Sequence, residues 1–204
     1  MRKSILFMMV AIAIPAAAQF HKGAIELSFS GYAGINKNKI ESEEMQNTDY
    51  NRESEAHKYL TLFVRGDYFL NKQLSFEPEA IWTTEDGVYP TYFFSGNIAY
   101  HFPEFSKQIV PFLLIGFGVG NAMPIVNTLL VSFENKFNVN LFNIGAGIKF
   151  PLSKNVLIRT EYRYQQYQMK ATLGSYQYET YRQIPVKYTY YENNLLVGFS
   201  IFIR

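Results

Sequence analysis

The sequence predicts an all-β fold, an eight-stranded antiparallel up-and-down transmembrane β-barrel. Three observations predict it: apolar and polar residues alternate in eight segments, the connections alternate between long and short, and aromatic residues are abundant. The 204-residue chain contains 16 Tyr, 18 Phe, one Trp and no Cys, and 48% of its residues are hydrophobic. This composition excludes a disordered, collagen-like or disulfide-stapled protein, and the length suits one domain or at most two.

Residues 1–18 have the pattern of a signal peptide. Arg2 and Lys3 give a positive start, an apolar stretch follows over residues 5–14, and Ala16-Ala17-Ala18 supplies the small residues of a cleavage site. An N-terminal membrane anchor is the alternative, but this stretch is shorter than the ~20 residues of a spanning helix. We therefore expect cleavage after Ala18 and a barrel formed by residues 19–204.

The mature chain is expected to carry no net charge. Loss of Arg2 and Lys3 leaves 17 of the 19 basic residues, against 17 acidic residues. A nucleic-acid partner requires a basic face, and we expect no such partner.

The first four predicted strands alternate with a period of two, as strands with one apolar face do. In the first strand, Ile25 and Leu27 alternate with Glu26 and Ser28. The same pattern continues through the second strand at about 59–70, the third at 74–83 and the fourth at 91–102.

The last four predicted strands keep this period. The fifth, at about 109–120, sets glycines opposite large apolar residues, and the sixth covers about 137–150. The seventh, at 158–165, sets Ile158 and Tyr162 opposite Arg159 and Glu161. The eighth, at 194–204, ends in an apolar alternation that begins at Leu195.

The connections separate a membrane barrel from a soluble sandwich or barrel. They are expected at residues 35–56, 71–73, 85–90, 103–107, 121–135, 151–155 and 171–187. Every second connection is a short turn, as in outer-membrane barrels, where an even strand number leaves both termini on the periplasmic side. Most of the segments also have the ~9–11 residues of a tilted spanning strand.

Several aromatic residues fall near predicted strand ends on the apolar face, where aromatic rings suit a headgroup boundary. Ordinary core aromatics are the alternative interpretation. The residues concerned are Tyr68, Trp82, Tyr92, Tyr100, Phe102, Phe150, Tyr162 and Tyr164.

The chain resembles the small eight-stranded outer-membrane barrels of Gram-negative bacteria, the porin-like group related to outer membrane proteins A and X. The resemblance rests on residues 110–113 (VPFL) leading into Gly116-x-Gly118, on 145–152 (GAGIKFPL) and on 156–164 (VLIRTEYRY). It implies an outer-membrane location and leaves the function open, because one scaffold serves many roles. Members usually finish on an aromatic residue, and here Arg204 follows Ile203.

If the apolar face meets lipid, the opposite face points into the lumen and is rich in charge. An eight-stranded barrel has room for little besides side chains, so we expect opposed charges to form a network that plugs the interior. A narrow or gated pore is the alternative. The predicted network consists of Glu26, Arg65, Asp67, Glu77, Glu79, Lys149, Arg159, Glu161 and Arg163.

The sequence offers little support for an enzyme, although barrels of this kind include lipid A deacylases, palmitoyl transferases, phospholipases and proteases. Acyl chemistry requires a base beside a nucleophile, and the three histidines are His21, His57 and His101. Only His57, near Ser54 and Asp49, has a grouping that could imitate a triad. We expect no catalytic residues, no cofactor and no metal site.

The predicted external loops are the better candidates for function. The first is net acidic, with six carboxylates over residues 41–55 against three basic residues over residues 37–52. It could bind a divalent cation or a basic partner, or it could simply be solvated. The third is apolar, which leaves contact with a partner, contact with a lipid surface and self-packing all open. The fourth is rich in tyrosine, which suits adhesion or glycan binding, while extended strands are the alternative. The candidate contact residues are Ile125, Val126, Leu129, Leu130, Phe133, Tyr176, Tyr178 and Tyr181.

Three functional hypotheses follow. The first is a non-enzymatic outer-membrane barrel, embedded in outer-membrane lipid, with a structural or interaction role. It would work through its external loops, which could contact an envelope protein, or as a subunit of a larger envelope complex. The second is a small porin for slow solute diffusion, and the third is a lipid-modifying enzyme.

Overall fold

Eight antiparallel strands close into a single barrel in the computed structural model, which describes residues 20–36, 57–85, 88–106, 108–121, 139–177 and 180–203. Each strand pairs with its neighbours in chain order, and β8 returns to pair with β1. Closure gives the backbone groups of both edge strands partners, as a sheet in lipid requires. The strands are β1 (Ile25–Asn36), β2 (His57–Phe69), β3 (Leu74–Glu85), β4 (Val88–His101), β5 (Val110–Gly120), β6 (Val139–Pro151), β7 (Val156–Gln177) and β8 (Thr180–Ile203).

The two ends of the barrel differ. The end with the described chain termini carries the short connections at 70–73, 102–109 and 152–155, and we call it the turn end. The opposite end, the loop end, carries the two longest connections, at 37–56 and 121–138, and the two-residue connections at 86–87 and 178–179. None of the described residues form a helix of the length and apolarity needed to cross a membrane.

The predicted alternation is confirmed on every strand. Outward-facing residues are apolar and exposed, including Phe94 at 54%, Phe117 at 67% and Leu195 at 67%. Inward-facing residues include charged side chains such as Glu77 and Arg163 that are fully buried. An apolar exterior around a polar interior inverts the pattern of a soluble barrel and is the pattern of a transmembrane one.

Two predicted connections are wrong over most of their length, whereas the other five differ from the structure by one to three residues at an end. Residues 85–90 were expected to be a loop, but β3 extends to Glu85 and β4 begins at Val88. Residues 171–187 were also expected to be a loop, but β7 and β8 continue to Gln177 and Thr180, so the alternative of extended strands is correct.

The extended part of β7 and β8 rises beyond the neighbouring strands. The β6–β7 ladder ends at Val139↔Met169, whereas the β7–β8 ladder continues from Lys170↔Lys187 to Gln177↔Thr180. On the other side, the β1–β8 ladder ends at Gly31↔Val197. We call residues 170–177 and 180–187 the projecting ribbon.

The aromatic residues divide between the two faces of the wall. Tyr68, Tyr92, Tyr100, Phe102 and Tyr162 face outward and are 39–55% exposed, in agreement with the boundary interpretation. Trp82, Phe150 and Tyr164 face outward and are half-buried. A different set of aromatic residues points into the lumen and is buried: Phe63, Phe69, Phe93, Phe112 and Tyr167.

Candidate functional site

All nine predicted lumen charges point into the barrel, and each is between 0% and 4% exposed. They come from five strands, with the carboxylates on β1, β2, β3 and β7 and the basic groups on β2, β6 and β7. Lys149 and Arg159 are direct cross-strand partners. Like charges in that position repel each other, so both must find carboxylates on other parts of the wall.

Lys149 is held by carboxylates on the first two strands. Its Nζ donates to Glu26 Oε2 at 2.7 Å and to Asp67 Oδ2 at 3.0 Å. Arg159 Nη1 lies 3.5 Å from the same Asp67 oxygen. Asp67 therefore connects the two neighbouring cations.

Arg159 continues the network toward the centre of the barrel. Its Nη1 donates to Glu77 Oε2 at 2.6 Å, and its Nη2 donates to Glu161 Oε2 at 2.8 Å. The guanidinium thus joins β7 to β3 with charge-assisted hydrogen bonds, which are stronger than neutral ones.

Two further arginines complete the network. Arg163 donates from Nη1 to both Glu79 oxygens at 2.7 Å and from Nε to Glu161 Oε1 at 2.5 Å. Arg65 donates from Nε to Glu79 Oε2 at 2.5 Å, and its Nη1 lies 3.6 Å from Glu161 Oε2. Five carboxylates and four basic groups therefore form one connected array, which we call the charge layer.

An apolar layer covers the charge layer at the turn end. Its rings pack edge to face, with Phe20 at 5.3 Å from Phe69 and at 5.5 Å from Phe202 between centroids. Lys149 Nζ lies 5.9, 5.6 and 5.5 Å from the centroids of Phe20, Phe69 and Phe112, within cation–π range. The layer comprises Phe20, Ala24, Phe69, Val110, Leu157 and Phe202.

A tight turn folds the N-terminal segment back so that Phe20 enters this layer. The Ala24 N–H donates to the His21 carbonyl at 3.1 Å, and Gly23 N–H donates to the Phe69 carbonyl at 2.8 Å. Gly23 has φ of +84°, a conformation that type II turns require at their third residue and that glycine adopts without strain. The backbone thus holds the Phe20 ring over the charge layer at the turn end of the lumen, and we call this ring the stopper.

A second apolar layer covers the charge layer toward the loop end. Phe63, a member of this second layer, contacts the charge layer directly. Its ring centroid lies 4.9 Å from Arg65 Cζ and 5.3 Å from Arg163 Cζ. This layer was not predicted, although strand parity places each member on the inner face. It comprises Phe63, Ile81, Phe93, Val139, Leu141, Tyr167, Met169 and Leu196.

Glu192 is a sixth buried acid of the described residues, and it was not among the predicted lumen charges. Its Oε1 accepts a hydrogen bond from the Tyr32 hydroxyl at 2.9 Å, and its Oε2 accepts one from the Tyr167 hydroxyl at 3.3 Å. It lies in a part of β8 that was assigned to no strand, two residues before the predicted start at Asn194. Extending the alternation of β8 by one step would have found it.

His101 lies in a serine–carboxylate group, but not in the order of a catalytic triad. Ser75 Oγ lies 3.0 Å from His101 Nε2 and donates to Asp67 Oδ1 at 3.1 Å. The carboxylate therefore contacts the serine and not the imidazole, whereas a triad base is oriented by the acid. All three side chains are buried, which keeps substrate away from the hydroxyl.

The other histidines offer no such group among the described residues. His21 is exposed in the N-terminal turn, and His57 begins β2. Ser54 and Asp49, its predicted companions, lie outside the described residues. Nor do the described residues include a cluster of His, Cys, Asp or Glu that could hold a metal ion.

Most predicted contact residues of the loops lie outside the described part of the chain. These residues are Ile125, Val126, Leu129, Leu130, Phe133 and Tyr178. The acidic first loop and the predicted signal peptide at 1–18 also lie outside the described residues. Tyr176 and Tyr181 are a cross-strand pair of the projecting ribbon.

Comparison with known proteins gives one family and several similar folds. The family model of the outer membrane protein beta-barrel domain matches residues 4–200. The crystal structure of Neisserial surface protein A (NspA) is 13% identical with a TM-score of 0.51, covering 88% of this chain and 97% of that one. The N-terminal β-barrel domain of Pseudomonas aeruginosa OprF is 13% identical with a TM-score of 0.46, covering 89% and 98%. No curated protein matches the sequence.

Proposed function

Since the chain belongs to the outer membrane protein beta-barrel family, we propose that it is a closed, non-enzymatic barrel of the Gram-negative outer membrane with a structural or interaction role. In this proposal the loop end faces outward and the turn end faces the periplasm. The barrel anchors the chain, and the external ends of β7 and β8 contact a protein partner of the envelope.

The filled lumen supports a closed barrel over a porin. Arg65, Arg159 and Arg163 are at most 1% exposed, and an apolar layer covers the charge layer on each side. An ion entering the lumen would have to displace both the rings and the ion pairs, and losing one member of a buried pair is costly.

The position of His101 supports a non-enzymatic role over a lipid-modifying enzyme. Acyl transfer at an outer-membrane barrel requires a nucleophile that lipid can reach. Ser75 is hydrogen-bonded to His101, whose ring contacts Phe20 and Phe69, and it faces the lumen and is fully buried.

The proposed interaction role rests on the projecting ribbon. Among the described strands, β7 has no partner besides β8 beyond Met169, and β8 pairs with β1 only from Val197 onward. Strand edges without neighbours present backbone N–H and C=O groups to other chains, and partners can add a strand to such an edge. Because the ribbon lies beyond the ladders with β6 and β1, closure of the barrel does not require it.

Removal of the ribbon tests this proposal. Met169 and Tyr188 are cross-strand partners, so replacing residues 170–187 by an Asn-Gly turn keeps the register of the wall. The barrel is expected to fold and insert, as judged by heat-modifiable gel mobility. Chemical crosslinking in intact cells is expected to lose its stoichiometric protein adduct.

The matched control shortens another external connection. Deletion of residues 125–133 changes the loop end and leaves the ribbon intact. If both deletions abolish the adduct equally, or if the ribbon deletion leaves it unchanged, the ribbon is not the contact site and the proposal is wrong.

A further inference from the structure

We propose that the outward face formed by Tyr162, Tyr164, Tyr191 and Asn193 is a contact site for the saccharide headgroup of an outer-leaflet glycolipid. This site is separate from the lumen and lies below the projecting ribbon, so it goes beyond the proposed protein contact. Its height on the barrel wall, the geometry of its side chains and its lack of charge all favour a sugar as the occupant.

The site lies where the apolar band of β8 ends. Outward-facing residues of β8 are apolar from Leu195 to Ile203, and the next outward residue toward the loop end is Asn193. The eight steps between Leu195 and Ile203 span about 27 Å of strand at ~3.4 Å each. At a tilt of ~40° this is about 20 Å of height, close to the ~25 Å band of outer-membrane barrels.

The side chains of the site hold one another in place. The Tyr162 hydroxyl donates to Asn193 Oδ1 at 2.9 Å. The rings of Tyr164 and Tyr191 are stacked, with centroids 6.1 Å apart and an interplanar angle of 25°. Tyr162 and Tyr191 are nevertheless 55% exposed each. The result is an ordered aromatic surface beside an oriented amide.

This surface matches the chemistry of a sugar. Pyranose rings present C–H faces that pack on aromatic rings, and their hydroxyl groups bond to amides and hydroxyls. Gln166, Gln168 and Thr189 continue the outward face above the rings with such groups. Tyrosine adds large contact area at low cost in side-chain entropy.

The absence of charge favours a saccharide over a phosphate group as the contacted part. On the described outward faces, β7 from Val156 to Gln168 and β8 from Thr189 to Ile203 carry no Lys, Arg, Asp or Glu. The first charged residues above them in the ladder are Lys170 and Lys187, at the base of the projecting ribbon and two pairs above Gln168↔Thr189. Recognition of a phospholipid headgroup relies on basic side chains. The site is also continuous with the lipid-facing band, so the occupant is the sugar of a lipid anchored beside the wall.

The test compares lipid binding by two variants of the full barrel in detergent. The site variant carries Tyr164→Leu and Tyr191→Leu, which keep outward apolar residues and remove both rings. The matched control is Tyr100→Leu, which breaks the exposed Tyr100–Phe102 pair at the turn end. Native mass spectrometry measures the affinity for rough lipopolysaccharide, for its deacylated saccharide and for phosphatidylethanolamine.

We expect the site variant to bind lipopolysaccharide about tenfold more weakly, which corresponds to about 1.4 kcal/mol. The control variant is expected to bind as the unmodified protein does, and the deacylated saccharide is expected to compete. Three results would contradict the proposal: an equal loss of lipopolysaccharide affinity in both variants, no loss in the site variant, or an equal affinity of the unmodified protein for phosphatidylethanolamine. Each would mean that the rings only anchor the barrel in the membrane. If the double variant does not fold, Tyr191→Leu alone is measured against the same control.

Discussion

Lys149 Nζ lies 2.7 Å from Glu26 Oε2, which ties β6 to β1 across the lumen. Among the described residues, Glu26 has no other cation within ion-pair distance, whereas Asp67 also lies 3.5 Å from Arg159 Nη1. One ammonium group therefore neutralises the first carboxylate of the barrel.

Substitution of this lysine is expected to destabilise the barrel strongly. Lys149→Met leaves Glu26 buried without a cation, and breaking a buried pair in this way costs about 3–5 kcal/mol. Urea unfolding in lipid vesicles, followed by the fluorescence of the single tryptophan Trp82, measures the change. Lys72→Met, in the exposed turn between β2 and β3, is the control and is expected to leave the midpoint unchanged.

The loss should be reversed by removing the negative charges that depend on the lysine. Glu26→Gln and Asp67→Asn in the Lys149→Met background leave no unpaired carboxylate at this position. We expect the unfolding midpoint to recover most of the loss. Failure to recover would show that packing of the lysine stem, and not its charge, determines the effect.

Phe20 is expected to control access of water to the turn end of the lumen. The chain has no native cysteine, so Ser75→Cys introduces a single thiol beside His101. Added Phe20→Ala removes the stopper and is expected to raise the rate of methanethiosulfonate labelling through the turn end about tenfold or more, because local opening then costs less free energy. Phe105→Ala, at an exposed ring of a nearby turn, is the control, and equal rates in both would contradict the stopper role.

Gly198 is expected to be essential for close approach of β8 to β1. A Cβ atom at this position would overlap the Phe29 carbonyl oxygen and the Ser30 Cβ atom. Gly198→Ala should therefore lower stability by about 1–3 kcal/mol, as overpacking does. At Gly66 the nearest atom to an added Cβ is Leu27 Cδ2 at 3.7 Å, so Gly66→Ala should be tolerated. The urea unfolding midpoints of the two variants test this prediction, and equal midpoints would contradict it.

The unmodified protein is expected to give no stable conductance steps in planar lipid bilayers. Arg65→Ala and Arg159→Ala should also stay closed, because each leaves both apolar layers of the lumen in place. Insertion is verified by heat-modifiable gel mobility, and an open porin in the same lipid serves as the positive control. Steady ohmic conductance of the unmodified barrel would support the porin hypothesis instead.

The alternation of apolar and polar residues with a period of two made the barrel wall and the charge layer predictable from the sequence. A strand between lipid and a polar lumen must alternate, so Ile158 and Arg159 could be assigned to opposite faces without a structure. The ion-pair partners could not be assigned in this way. Arg159 and Glu77 meet because of barrel closure and strand register, which bring residues of β7 and β3 together across the lumen.

The strand ends and the apolar layers were harder to predict. Beyond the membrane, a strand no longer needs an apolar face, and residues 171–175 (ATLGS) give no clear alternation. Phe63 and Phe69 were assigned to neither face, and aromatic residues suit both a core and the membrane boundary. Only parity separates the two roles, and it places Phe69 inside and Tyr68 outside.

The contact between Phe20 and Phe202 relates the seal to the order of assembly. The first residue comes from the start of the described chain and the second from the end of β8, so their rings can meet only after the last strand has joined the first. Until that moment the charged interior is open to water, which solvates its carboxylates and guanidinium groups. Dehydration of the interior is thus a late event that marks completion of the wall, and labelling of a cysteine at position 75 would report its time course.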